Sequence, residues 1–388
     1  MVKVIFANIT NTITPNTPDT PDTPDTPDSV VNILSRRLAI EAEKHNVPLE
    51  SSDILDRTIN QKKFSEGTFK SVYTAPGMDY VVQVFKDLSI STLEARIKET
   101  VCCLKTKNLE NTCQIRSVYT DENDDIIGIS MDKYSQTLKD FAFASRSQIT
   151  GEQKYKLVLD LVKGVKGLHD VGFAHCDLSE VNLMVNVTSE YLPDGSETPE
   201  LVVIDFGKAE FINRDDVLAW SVDIPTNDRL ERLPLVESRL DHGYKLYRSA
   251  ETLPRKRGDR DARNPIDPCA EDVYGVGVLI WRIFSGQSPW GGVLDTDIRK
   301  LYEIINNPQS IDFYINKVNG ATSQELLRKC LTVTSKSRID ISSLLDFLLR
   351  YKNVLISEWT TTGRKTKEAA KLKISTANKR NKRRRIFK

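Results

Sequence analysis

The sequence lacks the spacings that hold metals. Its four histidines are scattered, and none of its six cysteines (Cys102, Cys103, Cys113, Cys176, Cys269 and Cys330) forms a Cys-x-x-Cys pair. A zinc-type site is therefore excluded as an organising feature. The cysteines read as free thiols of a reducing compartment, and Cys176 as a buried structural thiol. No apolar run reaches the roughly 18–20 residues needed to cross a bilayer, so no membrane partner is expected. The first residues, MVKVIFANITNTIT, have no basic segment followed by an apolar core, and no secretory signal is read there. A charge excess is also missing, with a net of only +1 in 388 residues. That balance hides an asymmetry. Residues 363–388 hold twelve Lys/Arg and one acid, Glu368, a net of +11 that leaves −10 for the rest of the chain.

What is present fits a soluble globular chain, 39% hydrophobic and 28% charged, long enough for one large domain or two lobes with tails. Thr-Pro-Asp occurs four times between Thr17 and Asp28. Proline every third residue removes backbone donors and blocks helix, so residues 1–28 are expected to be disordered. Ser29 can cap a helix to about Lys44, with Val30, Ile33, Leu34 and Leu38 as its apolar face. It is expected to pack on the first lobe, within a helical extension over residues 29–59.

The chain is organised around His175–Val185, HCDLSEVNLMV, where Asp177 is followed five residues later by Asn182. An apolar run, Leu201-Val202-Val203-Ile204, then leads into Asp205-Phe206-Gly207. Carboxylate and amide oxygens are the hard ligands that magnesium prefers. Upstream, Phe64–Tyr73 reads FSEGTFKSVY, followed by the buried-strand run Tyr80–Phe85 that ends at Lys86. Residues 91–105 read as a helix, and two strands follow at about 113–119 and 125–131. Thr150-Gly151-Glu152-Gln153 is a capping-box pattern. Leu157, Leu161, Val165 and Leu168 repeat behind it at helical spacing. Between Val187 and Pro199 the polar, turn-rich chain reads as an enlarged hairpin loop.

Taken in order, these stretches resemble the protein kinase superfamily over roughly residues 60–350. The resemblance implies an α+β, two-lobed fold. A small, mainly β lobe would span 60–132 and a mainly α lobe 133–358, followed by a basic disordered tail over 359–388. It implies ATP and Mg2+ as cofactors, and protein substrates. Asp177 would orient a substrate hydroxyl and accept its proton, with Asn182 and Asp205 as metal ligands. Lys86 stands in the place of the family's Val-Ala-Ile-Lys lysine and would meet the phosphates, paired with Glu99 in preference to Glu94. Ser65, Gly67, Phe69 and Val72 would cover the nucleotide. Met131 would be the gatekeeper, ahead of a hinge at Asp132-Lys133-Tyr134. Of the three glycines usual in the covering loop only Gly67 is kept; Lys70 stands at the third and is expected to point to solvent.

Three later matches separate protein kinases from small-molecule kinases of the aminoglycoside and choline type, which share only the catalytic loop and Ile-Asp-Phe. Gly243–Glu251 resembles the family's Gly-Thr-x-x-Tyr-Arg-Ala-Pro-Glu. Glu271–Trp281 resembles the large central helix, where Asp272 would hold the catalytic-loop backbone. Arg338 falls where the family's arginine pairs with Glu251. Departures lie close to Asp177. Cys176 replaces the arginine that binds a loop phosphate, so activity is expected to survive joint mutation of Ser221, Thr226 and Ser238. Ser179 replaces a lysine that steadies the phosphate in flight, and Tyr244 replaces the threonine that contacts that lysine; Lys208 and Lys70 are candidate substitutes.

The reading is thus a Ser/Thr protein kinase, divergent enough to resemble an outlying or virus-encoded member. The alternatives are a catalytically weak pseudokinase scaffold, a nuclear adaptor, or a small-molecule kinase. The cluster Lys379–Arg385 reads first as a nuclear import signal, implying an import receptor as partner, and second as a nucleic-acid contact.

Overall fold

The structure, a computed structural model, describes residues 27–59, 63–74, 77–144, 148–237, 244–254 and 265–360. The repeat segment up to residue 26, Ser238, Gly243 and the basic tail beyond 360 lie outside the described residues, as do the side chains of Ser29 and Val30. Among the described residues no helix is long and apolar enough to cross a membrane.

The chain opens with α1 (Pro27–Lys44). Its inner row is Leu34, Leu38 and Ala42, all buried and spaced by four. Ile33, expected on that face, is 45% exposed. One residue from Leu34 it is turned about 100° around the axis, outside a stripe that narrow. A strand not foreseen in the extension follows, β1 (Leu49–Ser51), then α2 (Ser52–Ile59). β1 pairs in parallel with β5 (Ile115–Thr120) and so extends the sheet of the first lobe.

That sheet also takes in β2 (Lys63–Glu66), β3 (Lys70–Tyr73), β4 (Tyr80–Phe85) and β6 (Ile126–Asp132), in the order β1-β5-β6-β4-β3-β2. Alternation along β4 divides its side chains between two faces. Val82 joins Leu55 of α2, Tyr119 and Ile127 in a cluster on one face. Gln83 and Phe85 take the other. Helix α3 (Ile90–Lys105) buries Leu93, Ile97, Val101 and Leu104 in the main core, and α1 packs along it.

The second lobe begins with β7 (Gln136–Thr137) and α4 (Leu138–Ala142). Helix α5 (Gly151–Asp170) carries both arms of the capping box. Thr150 accepts from the Gln153 amide, and Gln153 accepts from Thr150. Its Leu157, Leu161, Val165 and Leu168 are fully buried, each contributing about 1.5–3 kcal/mol. After β8 (Phe173–Ala174), the stretch expected as a loop forms two strands that pair further than foreseen, β9 (Leu183–Tyr191) and β10 (Glu197–Val203). Only a turn closed by Leu192 and Ser196 remains between them.

Next come β11 (Glu210–Phe211), which pairs with β8, then α6 (Arg214–Trp220) and α7 (Asn227–Arg232). The central α8 (Pro268–Ser285) starts on an Asp267 cap. It runs so close to α11 (Ala321–Cys330) that a Cβ at Gly277 would stand 2.5 Å from Cys330 Cβ. α9 (Ile298–Ile305), α10 (Pro308–Ile315) and α12 (Ile341–Arg350) complete the lobe. The packed chain reaches past the expected end at 358, because Trp359 is fully buried and stacks on Phe284.

Candidate active site

The site lies between the sheet and the second lobe, and its centre is a lysine that the sequence reading had placed in solvent. Lys70 opens β3 opposite Phe85 of β4, on the sheet's inner face. Its ammonium donates to Asp205 Oδ1 at 2.8 Å and to Glu99 Oε1. The Lys70 side chain is 13% exposed and that of Glu99 4%. Burial alone would strip the lysine of its proton. The carboxylates of Asp205 and Glu99 reverse that and raise its pKa, so it stays charged. Burial pushes Glu99 above the usual carboxylate range, against the pull of Lys70.

Lys86, expected in this role, is elsewhere. It follows Phe85, which shares the inner face with Lys70, so alternation turns it to the other side. There it donates to the Gly67 carbonyl at 2.7 Å and pairs with Glu66 at 2.6 Å. Glu99 rather than Glu94 is the α3 carboxylate at the cleft, but its partner is Lys70. The inward polar residue of β4 is Gln83, buried, with its amide nitrogen 3.6 Å from Met131 Sδ and its Oε1 without a partner among the described residues. A neutral amide there offers no charge to a phosphate, whereas Lys70 is a buried cation on the same face of the sheet. The parity of Gln83, Phe85 and Lys86 was the available signal in the sequence, and it was not used.

The β2–β3 hairpin covers the cleft. Gly67 N–H donates to the Lys70 carbonyl at 2.9 Å. Ser65 stands opposite Val72, which is half-buried. Phe69 at the tip is 63% exposed. Met131, on β6 ahead of the expected hinge, is 3% exposed.

The loop after β8 is tied down from behind. Asp272 of α8 accepts from the backbone N–H of His175 at 2.6 Å and of Cys176 at 2.8 Å, and meets His169 Nε2 at 3.0 Å. Cys176 sits at φ 62°, a left-handed setting that costs about 1–3 kcal/mol off glycine and that these bonds hold in place. Its thiol is pushed well up by burial, as befits a structural group. His175 Nδ1 accepts from Asp177 N–H, so its Nε2 carries the proton and donates to the Ile204 carbonyl at 3.0 Å.

Asp177 is half-buried, and desolvation raises its pKa above the usual value although His175 and Lys208 pull it down. Asn182 Nδ2 donates to the Asp177 carbonyl at 2.8 Å, which leaves its amide oxygen as the end available to a cation. Asp205, at φ 66°, keeps its carboxylate below the usual range, chiefly through the charge of Lys70. Asn182 and Asp205 thus present the hard oxygens that fit magnesium. Among the described residues no group of three His, Cys, Asp or Glu could hold a metal alone.

The segment beyond Asp205 is anchored by carboxylates. Glu210 takes Lys98 of α3 at 2.7 Å, and Asp216 takes Lys105. Further on, Arg338, with no exposed side-chain surface, pairs with Glu251 at 3.2 Å. Ser179 is 1% exposed and its hydroxyl has no partner among the described residues, while Tyr244 is 44% exposed.

Comparison with known proteins agrees with this geometry. The family model of the protein kinase domain matches residues 59–348. The serine/threonine-protein kinase dkf-1 of Caenorhabditis elegans is 22% identical over 310 residues, covering 75% of this chain and 36% of its own. The serine/threonine-protein kinase TOS3 of Saccharomyces cerevisiae is 21% identical over 275 residues, 66% of this chain and 44% of its own. The candidate serine/threonine-protein kinase L673 of Acanthamoeba polyphaga mimivirus is 23% identical over 254 residues, 64% of this chain and 40% of its own. The chain therefore spans less than half the length of these relatives.

Proposed function

We propose a specific reaction for this chain, which belongs to the protein kinase family: it transfers the γ-phosphoryl group of ATP to serine or threonine hydroxyls of proteins. The observation that carries this reading is the linkage of Lys70 to both Glu99 and Asp205, facing the Asp177–Asn182 loop. A dead scaffold would have no need to hold a buried cation where phosphates enter. Lys70 neutralises the phosphates from the sheet side. Asp177 orients the substrate hydroxyl and takes its proton as oxygen bonds to the γ-phosphorus and the bond to the ADP oxygen breaks. Magnesium bound with the nucleotide would be held by Asn182 and Asp205 and would offset the negative charge of the phosphates.

The serine/threonine preference rests on the Tyr247-Arg248-Ser249-Ala250-Glu251 segment and on the names of the relatives. The test is phosphotransfer from ATP to a mixed protein substrate with magnesium, followed by phosphoamino-acid analysis. Phosphoserine and phosphothreonine are expected, lost in Asp177→Ala. Label in phosphotyrosine would refute the specificity, and equal labelling by Asp177→Ala would refute the enzyme.

For the tail we propose nuclear import through Lys379–Arg385, on its clustered charge alone. Deleting 379–385 should move the protein out of the nucleus; an unchanged distribution would refute this.

A further inference from the structure

The catalytic loop brings no positive charge to the transferred group. Both ring nitrogens of His175 are engaged within the loop's own framework. Glu180 is spent on Arg282 at 2.9 Å. Ser179 is buried and too short to reach out. Lys70 is held back between Glu99 and Asp205. Phosphoryl transfer relies on charge neutralisation around the moving group, so a cation from outside the loop is needed on the acceptor side; Arg248 lines the cavity there but donates to Thr252 at 3.3 Å.

Two observations locate one. Lys208, directly after Gly207, lines the cavity in front of Asp177 together with Leu178 and Tyr244. Its ammonium also lies 5.7 Å from the ring centroid of Phe69, at the tip of the covering hairpin, within cation–π range. The ammonium is thus bracketed between the hairpin tip and the catalytic loop, across the space that the γ-phosphoryl group must traverse. Its charge is felt at Asp177, where it opposes the effect of burial.

We propose that Lys208 supplies the positive charge on the phosphoryl group in flight, in place of the lysine that Ser179 has displaced. The inference rests on the phosphotransfer reading above. On this account Lys208 acts in the transition state more than in nucleotide binding, and Phe69 couples its position to closure of the hairpin.

The test is steady-state phosphotransfer from magnesium-ATP by the full chain, comparing wild type, Lys208→Met and Lys208→Arg, with melting midpoints alongside. Lys208→Met is expected to lose on the order of 10²-fold in kcat with KM for ATP little changed, and Lys208→Arg to keep most of the activity. A loss in kcat with KM for ATP kept, and rescue by Lys208→Arg, is a pattern that a merely structural lysine would not produce. An unchanged kcat, a loss confined to KM, or equal losses in both variants with lowered melting points would overturn the proposal. An inactive wild type would instead reject the kinase reading from which it starts.

Discussion

Glutamine in place of Glu210 should weaken the enzyme without touching a reacting group. Lys98 and Glu210 join α3 to the segment after Asp205 at 2.7 Å, with side chains 4% and 14% exposed. Lys98 immediately precedes Glu99, so the pair sets where the Glu99–Lys70 contact can form. Removing one partner of a buried ion pair costs about 3–5 kcal/mol, because the other charge is left in a poor medium. Lys98 would retain Glu94 at 3.6 Å, so about 2–3 kcal/mol, below that range, is the better figure here. If that cost falls on the assembled arrangement, its population drops by up to about 100-fold, at 1.4 kcal/mol per decade. The assay is magnesium-ATP phosphotransfer by phosphatase-treated protein. Wild type should stay active after treatment, Glu210→Gln should lose about 30-fold to 100-fold, and the reversal Lys98→Glu with Glu210→Lys should recover part of the loss. Abolition of wild-type activity by phosphatase, with no effect of Glu210→Gln, would refute the expectation that activity does not depend on a phosphate in the segment after Asp205.

Two further outcomes follow from the same contacts. Because burial raises the Asp177 pKa, its ionised form destabilises the folded state at neutral pH and the cost fades as pH falls through that raised value towards the unfolded one. Asp177→Asn should therefore melt above wild type at pH 7.5 and lose the advantage below about pH 4; an equal or lower melting point at neutral pH would contradict this. Arg338→Ala should lower stability by about 1.5–3 kcal/mol in denaturant titration, since it removes the ion pair with Glu251, which keeps its bonds to Ser335, and the bond to the Ala270 carbonyl; a change under about 1 kcal/mol, the size of a surface pair, would show that this pair is worth no more than an exposed one.

The second lobe could be read from the sequence in most of its parts because its signals are local. The capping box at Thr150 and the leucine row behind it settle α5 by contacts within a few residues. Asp272 and Arg338 were also legible, since both lie in long ordered matches. The first lobe was harder. Three residues, Leu49–Ser51, carry too short a pattern to announce a strand, and only pairing with β5 makes them one. Ile33 is apolar yet exposed, so composition alone overstated the width of the α1 face. The lysine was missed because a motif position outweighed parity. Lys86 closes an apolar run, but the run alternates, and Lys70 is the cation on its inner side. A lysine in a loop position usually kept for glycine looks like a defect until the partner carboxylates, 29 and 135 residues away, are brought beside it by the fold.

The measurement that bears most directly on the account compares Lys70→Met with Lys86→Met in magnesium-ATP phosphotransfer, with both proteins shown to be folded by circular dichroism. Lys70→Met should lose on the order of 10²-fold or more in kcat/KM, as removal of one charged phosphate contact does, and Lys86→Met should stay within about threefold of wild type, as a half-exposed surface ion pair of at most ~1 kcal/mol allows. The reverse order, with Lys86→Met inactive and Lys70→Met active, would contradict the placement of the phosphate-binding charge on Lys70.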